Sequence, residues 1–188
     1  MKRIAITGSP ESGTFIMTNA LAAMTGFDVA VRPPYSLLAS KYQLDPELEK
    51  CQWPDSFLYC LSAFNERLMV EQQYADHFVS EGSVLHELAW IKCRFPRHEL
   101  IYEQSMIRCL ERVAAKYAST QYDCVFHIAA NGATSRFDQY IRWLSAQYAI
   151  RCHSVEDDDR EMMLKRMVEY LTIKPVLSAK YALLQITE

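Results

Sequence analysis

The sequence predicts an α/β fold in which a mostly parallel central sheet carries helices on both of its faces. Short apolar segments alternate with longer amphipathic segments along the chain, as in strands joined by crossover helices. The first apolar segment, Arg3 to Thr7, runs directly into a turn that contains two glycines, Gly8 and Gly13. With 188 residues, a hydrophobic content of 50% and no Pro-, Gly- or Ser-rich linker, we expect one domain over residues 1–188.

Three segments follow the glycine turn. Apolar residues from Ile16 to Met24 recur at helical spacing, and Gly26 is expected to end this helix in the left-handed conformation. A short strand over 28–31 stops at two prolines, because proline supplies no ladder donor. For residues 34–50, the sequence predicts a polar connection that contains no more than one helical turn.

The middle of the chain repeats the alternation. Apolar residues at intervals of three and four predict a long amphipathic helix over 55–74, which is followed by a strand over 77–80. A helix then begins at Val84 and is closed by Pro96. A further helix and a strand are predicted over 101–117 and 124–128.

The last third contains two capping patterns. Ser135 and Asp138 have the spacing of a capping box in front of an amphipathic helix. A fifth strand is predicted over 149–153, and Ser154 with Asp157 forms the second capping pair. The segment 174–188 is compatible with either a strand or a short helix.

The turn after the first strand has the glycine spacing of a phosphate-binding P-loop, G-x-x-x-x-G-K-[ST]. Thr14 stands at the lysine position and Phe15 at the position of the hydroxyl that binds magnesium, while Glu11 adds a negative charge. Backbone N–H groups at a helix start still bind anions. The predicted nucleotide-binding residues are Gly8, Ser9, Glu11, Ser12, Gly13, Thr14 and Phe15.

Two later segments extend the pattern: Val79 to Val84, which reads VSEGSV, and Tyr122 to Arg136, which contains YDCVF and NGATSR. In this order, and behind the glycine turn, they resemble P-loop kinases over residues 2–171. The resemblance is strongest to a small bacterial AAA-type group that includes nicotinamide riboside kinase-like domains. It implies a P-loop NTPase fold with ATP and magnesium as cofactors.

The resemblance also implies functional positions. An Asp-Arg pair expected within residues 80–83 is replaced by Glu81 and Gly82, and an acid and an arginine of a later turn are replaced by Asn131 and Thr134. Glu81 is the predicted metal ligand and one catalytic candidate. A basic cluster that includes Lys92 and His98 supplies the other catalytic candidates, Arg94 and Arg97, as a lid over phosphates.

Phosphoryl transfer depends on positive charge placed around the phosphates. The replacements therefore favour a kinase-like protein that binds a nucleotide or phosphorylated metabolite and transfers phosphate weakly or not at all. One alternative is an active ATP-dependent small-molecule kinase, of the nucleoside or nucleotide type, in which Lys92, Arg94 or Arg97 replaces the loop lysine. Another is a non-catalytic interaction module, and a last one is a turn that binds nothing.

Composition limits the remaining classes. A net charge of -3 at pH 7 argues against nucleic acid as a partner. The sequence has no apolar run of the ~18 residues that a membrane helix needs and no signal pattern, so we expect a soluble cytoplasmic protein. The six cysteines are expected to be buried thiols.

His86 and Glu87 begin the zinc motif H-E-x-x-H, but Trp90 stands where that motif has its second histidine, so no zinc site is predicted here. Apolar residues on the helix from Asp55 are available to pair two subunits.

Overall fold

The computed structural model describes residues 2–9, 12–44, 53–74, 77–94, 101–129, 135–156 and 159–184, with backbone alone at 35, 101–103 and 173–184. The strands in this part of the chain are β1 Lys2–Gly8, β2 Asp28–Ala30, β3 His77–Glu81, β4 Cys124–Ile128 and β5 Cys152–Val155. The helices are α1 Thr14–Thr25, α2 Tyr35–Tyr42, α3 Asp55–Glu71, α4 Val84–Arg94, α5 Ile101–Gln121, α6 Arg136–Gln147 and α7 Arg160–Leu184. None of these helices is long and apolar enough to cross a bilayer.

The five strands form one parallel sheet in the order β2-β3-β1-β4-β5. In its register, Ile6 of β1 lies opposite Glu81 of β3, and Gly8 lies opposite Ile128 of β4. The last residues of three neighbouring strands therefore meet at one edge of the sheet. Ligands of open α/β folds bind outside this carboxyl edge.

Helices cover both faces of the sheet, so the predicted fold class is confirmed. Side chains alternate between faces along β1, and Ile4 and Ile6 enter one core while Ala5 enters the other. The Ala5 core is filled from α3, α4, α5 and α6. The Ile4 core is filled from α1 and α7, whose contributions are Met17, Leu21, Ala22, Met163, Met167 and Leu171.

Two elements differ from the prediction. The fifth strand begins at Cys152 rather than at 149, because Ala149 has a positive φ of 50° and Ile150 N–H still bonds to the Ser145 carbonyl, 2.9 Å away. The connection after β2 forms two turns of helix, α2. Its Leu38 side chain is fully buried in a cluster with α3, and burial of this kind stabilises a helix that local sequence does not predict.

The helix caps were predicted in part. Ser135 Oγ accepts a hydrogen bond of 3.1 Å from Asp138 N–H, which confirms the first capping pair. The second pair is wrong at Ser154, which lies within β5, and Asp157 is outside the described residues. Asp159 caps α7 instead, since its Oδ1 accepts a 2.8 Å bond from Glu161 N–H. The backbone of 174–184 continues α7 as helix.

Candidate active site

The turn that follows β1 is tightly folded at Gly8. A Cβ atom at this position would lie 2.3 Å from Ser12 Oγ and 2.4 Å from the carbonyl oxygen of Ile128. The turn closes through the Ser9 carbonyl, which accepts hydrogen bonds from Ser12 N–H at 3.0 Å and from Ser12 Oγ at 2.7 Å. Only glycine fits at position 8, because a larger residue would overlap with β4.

Gly13 turns the chain into α1. Its φ of 76° and ψ of 25° are left-handed, and as the N-cap residue it brings no side chain to the first N–H groups of the helix. Thr14 is partly buried, and Phe15 is 57% exposed. The helix start is therefore suited to an anion, but Phe15 offers no oxygen to a metal. Pro10 and Glu11 lie outside the described residues.

Buried hydroxyl groups surround the turn. Thr7, Ser9 and Thr18 are each at least nine-tenths buried, and within the described ranges their hydroxyl oxygens have no hydrogen-bond partner. Buried polar groups are normally satisfied. The surroundings of the turn therefore hold hydrogen-bonding capacity that the described residues do not use.

A cation from α7 lies against the turn. A Cβ atom at Gly13 would lie 3.5 Å from Arg160 Nη2 and 3.7 Å from both Cζ and Nε. The guanidinium group of Arg160 thus contacts the residue that begins α1. Sequence reasoning did not find Arg160, because nothing in the local pattern relates the last helix to the first turn.

A second cation lies beside Gly82, where the family resemblance implies an arginine. Arg67 extends from α3, and its Nη2 lies 2.7 Å from the position of a Gly82 Cβ. Its Nη1 donates to the Glu81 carbonyl at 2.6 Å and to Ser80 Oγ at 3.2 Å. Gly82 has a φ of 80°. Another part of the chain therefore supplies a guanidinium beside Gly82.

Arg67 belongs to a buried charge cluster with Glu87 and Arg32. Glu87 Oε1 lies 2.9 Å from Arg67 Nη2 and 3.2 Å from Arg32 Nε, and the Glu87 side chain is fully buried. Burial by itself would raise the pKa of Glu87, but the two guanidinium groups lower this pKa to about 2. Burial opposes the charge of Arg67 as well, and Glu87 nevertheless raises the pKa of Arg67. Both partners are therefore charged at neutral pH.

A second buried carboxyl group, that of Glu71, lies next to this cluster. Burial raises the pKa of Glu71, whose Oε1 accepts hydrogen bonds from Ser80 Oγ at 2.6 Å and from Tyr122 OH at 2.9 Å. Its Oε2 accepts a further bond from Tyr117 OH at 2.9 Å. These bonds link Ser80 of β3 to the end of α3 and to Tyr117 of α5.

His86 connects α4 with the turn. Burial lowers the pKa of His86 to about 4, and a hydrogen bond to the backbone of Gly8 acts in the opposite direction. The pair His86 and Glu87, which sequence analysis examined only as a failed zinc motif, therefore lies at the candidate site. The available signal was the presence of two adjacent polar residues among the apolar residues from Val84 to Ile91 of α4.

The predicted catalytic residues are placed differently from one another. Glu81 ends β3 at the carboxyl edge, beside Gly82. Arg94 ends α4, about 15 Å along the helix from Val84 at 1.5 Å per residue, and its guanidinium lies over Trp90. Lys92 Nζ lies 3.5 Å from Glu111 Oε1, between helices. Arg97, His98, Asn131 and Thr134 are outside the described residues.

The cysteines are less uniformly buried than expected. Cys60 and Cys124 are buried, whereas Cys109 is exposed. Burial raises the pKa of the Cys60 thiol well above its ordinary value, and the nearby Glu87 charge raises it further. Cys60 is therefore a neutral packing group at physiological pH.

Comparison with solved structures shows the fold of P-loop nucleotide kinases. A deoxyadenosine kinase from M. mycoides with bound dATP is 12% identical, with a TM-score of 0.67 over 92% of this chain and 100% of that chain. A thymidylate kinase from Ehrlichia chaffeensis is 15% identical, with a TM-score of 0.61 over 90% of this chain and 98% of that chain.

The NadR protein in complex with NAD and AMP-PNP is 11% identical, with a TM-score of 0.61 over 92% of this chain and 50% of that chain. No family model and no curated protein matches the sequence. At these identities the likeness shows a P-loop kinase-like fold and confirms the fold that the sequence resemblance implied.

Proposed function

On this P-loop kinase-like fold, we propose that the chain binds a nucleotide or a phosphorylated metabolite at the turn from Gly8 to Phe15 and transfers phosphate weakly or not at all. The observation that carries the proposal is the combination of a glycine-framed helix start with Thr14 and Phe15 at its first two positions. This helix start presents N–H donors to an anion. Neither side chain contributes a positive charge or a strong metal ligand.

The binding half of the proposal is supported by the shape of the turn. Gly13 is left-handed and Gly8 approaches β4 closely, so both glycines have a backbone geometry that a larger residue does not readily adopt. The buried Ser9 hydroxyl, which has no hydrogen-bond partner among the described residues, adds a further polar group. Structural neighbours contain dATP or AMP-PNP, which supports a nucleotide as the ligand class.

The expectation of weak or absent phosphoryl transfer follows from the positive charge that the transition state requires. Enzymes of this reaction stabilise the transferring phosphoryl group with a loop lysine, arginines and magnesium. Here the lysine position is neutral, and Arg67 beside Gly82 is already paired with Glu87. A carboxylate such as Glu81 can hold a hard cation, but the turn adds no oxygen ligand from Phe15. Binding is therefore expected to depend little on magnesium.

Calorimetric titration tests the two halves separately. ATP is titrated with magnesium and again with EDTA, and the same samples are assayed for ATP turnover. We expect binding of similar affinity in both buffers and no turnover above a protein-free blank. Affinity that requires magnesium, together with rapid turnover, would refute the proposal and support the alternative of an active small-molecule kinase. No binding in either buffer would support an interaction module.

A gain-of-function variant tests whether the turn retains its binding geometry. The double substitution Thr14→Lys with Phe15→Ser restores the cation and the hydroxyl at positions that are partly or largely exposed, so the fold should tolerate it. A charge-assisted hydrogen bond contributes about 1.5–3 kcal/mol, so we expect ATP affinity to rise by about tenfold or more. Unchanged affinity would show that the turn does not direct residue 14 toward phosphate.

A further inference from the structure

The start of α1 is neutral in its own sequence but is covered by a cation from the other end of the chain. The distances from the Gly13 Cβ position to Arg160 Nη2, Cζ and Nε are nearly equal, at 3.5, 3.7 and 3.7 Å. Equal distances mean that the plane of the guanidinium faces Gly13. Its N–H groups point outward from the edges of that plane, so packing against Gly13 does not consume them.

The position of Arg160 is fixed by the fold. Arg160 is the first residue of α7, and Asp159 holds that first turn by accepting the Glu161 N–H bond. Further along, Met163 and Met167 of α7 pack in one buried core with Met17 of α1. The first turns of α1 and α7 therefore share one core, and Arg160 belongs to α7 itself.

Two carboxylates among the described residues near Arg160 have hydrogen-bond partners of their own. The Asp159 carboxylate caps α7, and the Glu156 carboxylate accepts a hydrogen bond from Arg142. Arginine stays protonated at any physiological pH and presents a planar set of donors that matches phosphate oxygens. The side chain of Arg160 is exposed, so it is accessible to a ligand that enters from solvent.

We propose that Arg160 is the phosphate-binding cation of this site, in place of the lysine that the turn lacks, and that the ligand is a nucleoside di- or triphosphate whose terminal phosphates lie beside the start of α1, at the outward-pointing N–H groups of Arg160. This inference rests on the proposed function. Because the cation contacts the phosphates and not the base, the affinity for a nucleotide should depend on its number of phosphates. Arg160 is a binding residue in this arrangement.

The test uses the full chain and compares Arg160→Ala, Arg160→Lys and, as a matched control, Lys165→Ala on the exposed side of the same helix. Titrations with ATP, AMP, adenosine and inorganic tripolyphosphate are made in EDTA at two salt concentrations. We expect Arg160→Ala to weaken ATP and tripolyphosphate binding by about 10- to 100-fold. Arg160→Lys should lose part of this affinity, and the affinity of Lys165→Ala should stay within about twofold of the wild-type value.

Two further readouts separate a charge effect from a structural one. Adenosine binding should be equal in the wild type and Arg160→Ala, and the decline of ATP affinity with added salt should be shallower in Arg160→Ala. Thermal unfolding verifies that each variant is folded, and Arg160→Gln, which keeps the side-chain stem, replaces Arg160→Ala if the latter unfolds.

The outcomes distinguish the two proposals. If the wild type binds ATP and Arg160→Ala or Arg160→Gln binds it equally well, the role of Arg160 is wrong while nucleotide binding stands. If the wild type binds neither ATP nor tripolyphosphate, the proposed function fails and the role of Arg160 fails with it. Equal weakening of ATP and adenosine would show a structural role for Arg160 and would also overturn the inference.

Discussion

Removal of the Glu87 carboxylate should destabilise this protein strongly. Glu87 is fully buried between the guanidinium groups of Arg67 and Arg32, at 2.9 and 3.2 Å. The substitution Glu87→Gln keeps the shape of the side chain and removes its charge. Arg67 is itself 2% exposed, so its charge would remain buried with its main counter-ion gone.

Two physical arguments give the expected loss in the free energy of unfolding. A pKa of about 2 in place of the ordinary 4.5 means that folding favours the ionised carboxylate by about 3 kcal/mol. Loss of one partner from a buried ion pair typically costs about 3–5 kcal/mol. We therefore expect Glu87→Gln to lower the free energy of unfolding by about 3 kcal/mol, and the melting temperature by about 6–12 °C for a chain of this size.

Urea unfolding followed by circular dichroism at pH 7 measures the loss, with the exposed Glu169→Gln as the matched control. Because the folded pKa of Glu87 is depressed, its contribution is complete above pH 4.5 and is lost as the pH falls toward 2. The difference between the wild type and Glu87→Gln should therefore shrink below pH 4.5. A Glu87→Gln variant within about 0.5 kcal/mol of the wild type at pH 7, which is the spread of ordinary surface substitutions, would refute the reasoning.

Two further predictions concern the turn. Gly8→Ala places a methyl group 2.3 Å from Ser12 Oγ and 2.4 Å from the Ile128 carbonyl, and should cost about 2–3 kcal/mol or more. Gly26→Ala, which meets no atom within 4 Å, should cost only the left-handed strain of about 1–2 kcal/mol, and equal losses in urea unfolding would contradict the clash. The pKa of His86 is lowered from 6.5 to about 4, so its protonation destabilises the folded state, and stability should fall as the pH drops from 6.5 to 4. His86→Gln should make that decline shallower between pH 7 and pH 5, and an unchanged pH profile would show that His86 does not contribute.

Local patterns in the sequence predicted most of the fold. The alternation of apolar strands and amphipathic helices gave the α/β class, and the Gly8 and Gly13 spacing located the turn at the carboxyl edge of β1. The boundaries of β5 and the helix α2 were missed. Both depend on contacts with residues distant in the chain, namely the closure of α6 onto Ile150 and the burial of Leu38 against α3.

The candidate site was predicted only where its parts are contiguous. The turn directly follows β1, and Glu81 is the last residue of β3, so a sequence motif identifies both. Arg67 and Arg160 come from helices α3 and α7, and their positions beside Gly82 and Gly13 depend on how those helices pack.

The sequence by itself determined the order of the elements and the turn that begins α1. It also determined that position 14 has no lysine and that position 15 has no hydroxyl group. These are local properties, because periodicity, glycine conformation and residue type act over a few neighbouring residues. Only the tertiary structure decided which cations meet the turn. Long side chains such as Arg160 cross between elements, and their contacts follow from the packing of two helices on one face of the sheet, which no local pattern encodes.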